Sequence, residues 1–247
     1  MPKHYKKIDA SSLHYLKASH MHPANTYFHF SFANYYNPKN TNFGVLRVLN
    51  DDDVKPQNGF GEHPHKDIEI ISYIVKGELT HWDNTSDVEK TLKRGNVQIL
   101  TAGNGIWHSE LNKHAGWTRF LQIWIMPPTK NLPVRYENHT YTKQQRDNNL
   151  LHIVGNPSNK AQVPLYLNQD VNLYASELSD ATKKVSFSLQ KGRQAYINNI
   201  EGSVAVKDIA TLEERDSLEI IGPAEIEFSL AGKSAHFIII EMAESRK

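Results

Sequence analysis

The feature that most constrains this chain is a dense succession of short β-branched and aromatic segments cut by Gly, Asn and Asp. Phe43–Leu49, Ile68–Val75, Leu79–Trp82, Val97–Leu100 and Phe120–Ile125 each have the length of a strand, and turn-forming residues separate them. Asn50-Asp51-Asp52-Asp53 reads as a polar turn. It lacks the spacing and terminal Glu of an EF-hand, so it does not read as a calcium loop. Helical signals are few: a turn or two within Ala10–His20, and a stretch at Lys143–Asn149 polar enough to be loop. Short strands at this spacing predict an all-β fold, an antiparallel sandwich or barrel.

A break falls between Met126 and Asn149. It opens with Pro127-Pro128, adds Pro133 and continues polar through Lys143-Gln144-Gln145-Arg146-Asp147. Proline fixes φ and removes a backbone donor, so this stretch is read as a connection between domains. Strand signals return from Leu150–Val154 to His236–Ile240. The chain has 247 residues, enough for two β domains, and these are expected at 1–135 and 136–247.

Cysteine is absent, which excludes a disulfide framework, a thiolate metal site and a cysteine nucleophile. Histidine numbers 13, ten of them within residues 1–114, so a metal would sit on imidazole and carboxylate in the first domain. Lys+Arg is 28 and Asp+Glu 27, a net charge of +1 that argues against direct nucleic-acid binding. No apolar run approaches the ~20 residues of a membrane span, and the N-terminus lacks a signal-peptide core. The expectation is a soluble, cytoplasmic chain without membrane association.

Two short pairs carry the chemistry. One is His63-Pro64-His65, after a Gly-rich approach and before a strand that contains Glu69 and ends at Gly77. The other is His108-Ser109-Glu110, after the Gly-rich turn at Gly103 and Gly105. Residues at i and i+2 on a strand share a face, so two such strands would aim three imidazoles and one carboxylate into one interior. That donor set suits a divalent first-row metal with open positions. Without a metal, the cluster would leave a costly buried charge. His20-Met21-His22 is also a His-x-His but reads as loop. His81 and His114 read as solvated loop or strand end. Phe60 and Trp107 are expected chiefly to pack the barrel, as are Phe28, Phe30 and Phe32, which alternate as one strand face. No helix follows the Gly-rich turns, which speaks against a phosphate loop. Ser109 would point away from His108, which speaks against a serine nucleophile.

His63-x-His65-x3-Glu69-x7-Gly77 resembles the first cupin motif, and Gly95-x5-Thr101-Ala102-Gly103-x4-His108-x3-Asn112 resembles the second. Thr101-Ala102-Gly103 stands where cupins generally carry Pro-x-Gly. With Gly-x-Gly-x-x-His-Ser-Glu, it is similar to the pirin family, as are Phe30 to Tyr36 and Gln122 to Ile125. The close resemblance covers roughly residues 20–137. Beyond them it rests on length and strand content, as in the shorter bacterial pirins.

The resemblance implies a bicupin, two tandem jelly-roll-type β-barrels, the first holding metal and the second without a metal site. It carries the ligand roles to His63, His65, His108 and Glu110, and leaves Glu69 near the site or structural. It implies Fe(II), with manganese, nickel, cobalt or copper as alternatives, and a quercetin 2,3-dioxygenase-like activity: a flavonol and dioxygen as substrates, carbon monoxide released, and Glu110 as a catalytic base. The alternative it implies is a redox-responsive regulator that binds a protein partner. Two barrels packed on each other are expected to form a monomer.

Overall fold

The structure is a computed structural model that describes residues 4–86 and 88–245. It contains nineteen strands among these residues, and the all-β expectation holds. The chain divides into two compact units. One is His14–Thr140; the other combines the described parts of Met1–Leu13 and Tyr141–Lys247. The domain boundary expected at 135/136 therefore lies at 140/141, because the strand Arg135–Thr140 pairs with Asn96–Thr101 along its whole length. The first residues also belong elsewhere than expected. β1 (His4–Ile8) pairs with Ser217–Ile221 of the second unit.

In the first unit β2 (His14–Leu16), β3 (Ala24–Phe28), β4 (Leu46–Val54), β6 (Glu69–Lys76), β9 (Asn96–Thr101), β11 (Thr118–Ile125) and β12 (Arg135–Thr140) form a seven-stranded antiparallel sheet. Its order is β12-β9-β6-β11-β4-β3-β2. A second sheet, ordered β5-β10-β7-β8, is built from β5 (Asn58–His65), β7 (Glu78–Asp83), β8 (Lys90–Lys93) and β10 (Ile106–Asn112). The expected turn at Asn50–Asp53 instead lies within β4, with Asn50, Asp51 and Asp52 buried. Four polar residues can lie in a central strand here because each meets a partner or the interior cavity. Arg119 grips Asp51 with two hydrogen bonds, Nε to Oδ1 at 2.8 Å and Nη2 to Oδ2 at 2.6 Å. Thr26 donates its hydroxyl to Asp52. Bidentate pairing of this kind offsets part of the cost of burying both charges.

The interior of this unit is layered. Inward residues of adjacent strands sit opposite one another, so each register row forms one layer. Ala24, Val54, Ile74, Leu79, Leu92 and Phe120 close one end, and Ile70, Leu100, Ala102 and Ile106 close the other. Between them runs a polar row across four strands. Asn50 lies opposite Gln122, Gln122 opposite Ser72, and Ser72 opposite Gln98. Two apolar layers thus hold a hydrogen-bonding layer in the middle of the barrel.

The second unit contains one eight-stranded sheet, ordered β1-β18-β16-β19-β14-β13 with β15 against β19 and β17 against β16. Its strands are β13 (Leu151–Val154), β14 (Val171–Leu178), β15 (Lys184–Leu189), β16 (Arg193–Val206), β17 (Ala210–Leu212), β18 (Ser217–Ile221) and β19 (Ala224–Ala243). β16 and β19 pair along most of their length, with register shifts at Asn199/Glu201 and Gly202/Val204. Its core includes Phe187, Ile197, Leu218, Ile226, Phe228, Phe237 and Ile239. The stretch expected as loop near Lys143 contains one short helix, α1 (Lys143–Arg146). No helix among the described residues is long and apolar enough to cross a membrane.

Candidate metal centre

β5 and β10 supply the imidazoles. They pair antiparallel, with His108 opposite His63 and Ile106 opposite His65, but Glu110 lies opposite Phe60. Three steps along β5 therefore match two along β10. A β-bulge of this kind inserts one residue and resets the alternation of side chains. Phe60 consequently shares the inward face with His63 and His65, while Glu62 and Pro64 between them are exposed. Without the bulge, Phe60 and the two histidines would face opposite ways.

The turn before β10 is held by its own chemistry. Gly103 has φ +47°, and a Cβ there would stand 1.9 Å from the Leu132 carbonyl oxygen. Only glycine fits both the dihedral and the space. The Asp67 amide donates to the Gly103 carbonyl at 2.9 Å, tying the turn to the end of the first motif.

One ring nitrogen from each of His63, His65 and His108 lies within 4.8 Å of the other two. His63 Nδ1 donates to the Gly61 carbonyl at 2.7 Å, which leaves Nε2 as the ring nitrogen turned toward the other imidazoles. That Nε2 is 3.1 Å from Nε2 of His108. Burial, reinforced by the neighbouring imidazoles, lowers His65 and His108 to about 3, so both are neutral at pH 7. Neutral imidazoles with facing nitrogens are the donor set a divalent transition metal takes. The residues present therefore fit a bound metal ion.

Glu110 stands beside this cluster in the same cavity, outside the set of mutually close ligand atoms. Its carboxylate reaches across to the polar row of the other sheet. Oε1 accepts from Ser72 Oγ at 2.6 Å and Gln98 Nε2 at 2.8 Å, and Oε2 accepts from Gln122 Nε2 at 2.5 Å. A carboxylate has about four acceptor positions, two per oxygen, so this arrangement leaves one open on Oε2. Tyr136 completes the row by donating its hydroxyl to Gln98 Oε1 at 3.0 Å.

The cavity has a volume of about 400 Å³, within the range of small-molecule sites. Phe32, Phe60 and Trp124 are aromatic walls, and His22, Asn50, Asp52 and Gln122 are polar ones. Trp124 meets Phe32 edge-on at 5.2 Å and His65 at 4.9 Å. Phe60 thus packs the barrel as expected and also lines the cavity, whereas Trp107 is exposed.

Several sequence expectations need correction. His81 is wholly buried on β7, not solvated. Its Nε2 lies 3.0 Å from Asp83 Oδ2, and its ring stacks on Tyr136 at 4.3 Å and approaches His108 at 5.5 Å. His22 lies in a loop, as expected, and in addition lines the cavity. Phe30 is buried and Phe32 half-buried, but both lie beyond the end of β3, so residues 28–32 are not one strand face. Glu69 is buried on the face of β6 opposite Ser72 and accepts from Thr101 Oγ1 at 3.2 Å, away from the imidazole cluster. A sequence signal for Gln98 and Gln122 existed. Each is a polar residue inside an apolar strand, and such residues are buried only with partners.

The chain is similar to known proteins in sequence and in fold. The family model described as Pirin matches residues 12–125, and that of the quercetinase C-terminal cupin domain matches residues 156–242. A pirin-like protein of Caulobacter vibrioides is 34% identical over 98% of each chain. The quercetin 2,3-dioxygenase of Escherichia coli K12 is 36% identical over 73% of this chain and 75% of that protein. The crystal structure of the bacterial pirin YhhW from Escherichia coli in complex with nickel(II) superposes with a TM-score of 0.87 at 27% identity. The match covers 98% of this chain and 100% of that one.

Proposed function

The chain belongs to the pirin family, and from that membership we propose that it is a metal-dependent dioxygenase that cleaves flavonols of the quercetin type, with release of carbon monoxide. The observation that carries this reading is the convergence of three histidine nitrogens, two of them from His63 and His65 in the wall of an aromatic-lined cavity of about 400 Å³. His63, His65 and His108 would hold the metal, with Glu110 as the fourth ligand through the open position on Oε2. Iron(II) is the proposed ion. When bound, it supplies Lewis acidity toward a substrate hydroxyl and a redox partner for dioxygen.

The protein's own contribution is position and dielectric. Ser72, Gln98 and Gln122 hold the Glu110 carboxylate by three hydrogen bonds, so its direction is set before any ligand arrives. Phe32, Phe60 and Trp124 offer flat apolar surfaces to a planar polyphenol and keep water from its rings. Glu110, which lines the cavity, would also serve as a base for a substrate hydroxyl.

The test is reconstitution. Purified protein is loaded with iron(II), manganese, nickel, cobalt or copper in turn, then supplied with quercetin in air. Loss of flavonol absorption with stoichiometric carbon monoxide is expected. A fully loaded site that leaves quercetin intact with every metal refutes the substrate. A protein partner captured in only one metal oxidation state, without flavonol turnover, would favour the regulatory reading.

A further inference from the structure

The cavity contains a second buried carboxyl group that the metal centre does not use. Asp52 is 2% exposed and lines the cavity, and one of its oxygens, Oδ1, is joined to the Thr26 hydroxyl. Its other oxygen makes no hydrogen bond among the described residues. The Thr26 hydroxyl also lies 2.7 Å from His22 Nε2, and His22 is half-buried in the cavity wall. Thr26 and Asp52 face each other across β3 and β4, so the backbone ladder holds the contact in register.

We propose that His22, Thr26 and Asp52 form a proton relay that carries the proton of a ligand hydroxyl out of the cavity. The relay rests on the reading that the cavity binds a hydroxylated ligand which ionises there. The same three groups can be connected in either of two senses. In one, Asp52 donates to Thr26 and Thr26 donates to the bare Nε2 of His22. In the other, His22 Nε2–H donates to Thr26 and Thr26 donates to Asp52. A hydroxyl is both donor and acceptor, so both contacts of Thr26 persist in either sense. Switching from the first to the second moves one proton from carboxyl to imidazole. The step balances as follows. The ligand proton arrives at the free oxygen of Asp52. The proton on Oδ1 passes to Thr26, and that of Thr26 passes to His22. His22 then releases its Nδ1 proton to solvent. Only O–H and N–H bonds form and break.

The surroundings suit the role. Burial pushes the Asp52 carboxyl up to about 8; the Thr26 hydrogen bond opposes this, and Asp51, Glu110 and Asp53 add to it. Asp51 is itself paired with Arg119. Desolvation lowers His22, so its ring is a neutral acceptor at pH 7. A carboxyl group near 8 is matched to a phenolic or enolic hydroxyl far better than an ordinary one.

The experiment uses redox-inert, zinc-loaded protein under nitrogen with quercetin as probe, since ionisation of the flavonol shifts its absorption to longer wavelength. Stopped-flow mixing reads the rate of that shift, and elemental analysis reads zinc content. Asp52→Asn and Thr26→Val are expected to slow the shift by about tenfold or more at unchanged zinc content, with Thr26→Ser restoring the wild-type rate. Wild-type rates in both slow-candidate variants overturn the relay alone. Loss of zinc in both variants also overturns it, because the residues would then be structural. Failure of wild-type protein to bind or ionise quercetin refutes the flavonol reading, and the relay's role with it.

Discussion

His108 makes the metal-free protein sensitive to acid, and the magnitude follows from its burial. The side chain is 1% exposed, and desolvation with the adjacent imidazoles lowers it from 6.5 to about 3 in the folded state. Below its ordinary pKa the unfolded chain binds a proton that the folded chain refuses. Stability is therefore fully present above about pH 6.5, and it falls as pH drops through that value toward 3. At pH 5 the unfolded imidazole is more than nine-tenths protonated, which favours unfolding by about 2 kcal/mol relative to pH 7.5. The figure is set by the ordinary pKa and hardly changes so long as the folded value stays below about 4. His65, also lowered to about 3, acts in the same direction. The assay is urea unfolding of chelator-treated protein at pH 7.5 and 5, followed by tryptophan fluorescence, for wild type and His108→Gln. The variant is expected to lose about 2 kcal/mol less on acidification. An equal loss in the two proteins would refute the reasoning. In metal-loaded protein the same protons compete with the ion, so metal release should accompany the transition.

Other expectations follow from single contacts. His63→Ala should abolish stoichiometric metal by elemental analysis while leaving circular dichroism unchanged, since β5 keeps its ladder to β10. Gly103→Ala should cost about 2–4 kcal/mol in thermal or urea unfolding, because the added methyl meets the Leu132 carbonyl oxygen at a positive φ. Arg119→Met removes the guanidinium that pairs with the buried Asp51 carboxylate, and should cost about 3–5 kcal/mol; Asp51→Leu in the same chain should recover much of it. Gln122→Leu removes the only donor to Glu110 Oε2 among the described residues. It should weaken metal binding by about 10- to 100-fold in competition with a chelator, whereas Gln122→Glu should be worse because it sets two carboxylates face to face.

Much of the fold and the centre of the site were legible in the sequence, for a local reason. Strand alternation has a period of two and turn residues act over a few positions, so β segments and the candidate histidines at 63, 65 and 108 can be read from neighbours along the chain. The resemblance of the two motifs extended that reading to a tandem barrel. Contacts that depend on partners far along the chain were not legible. Asn50–Asp53 has the composition of a turn and becomes a central strand because Thr26 and Arg119 arrive from β3 and β11. His81 sits among polar neighbours in sequence and is buried by Tyr136 and β10. The boundary moved to 140/141 because β12 finds its partner in β9.

The sequence by itself determined that this chain is built of strands and that any metal would be held by imidazole, since cysteine is absent and the His-x-His spacing needs only one strand to share a face. Tertiary structure alone decided which way each face turns. One bulge in β5 puts Phe60 on the same side as His63 and His65, and one register row aims Ser72, Gln98 and Gln122 at Glu110. Register is a relation between strands: a slip of one residue reverses every side chain, and no stretch of sequence read alone contains that relation.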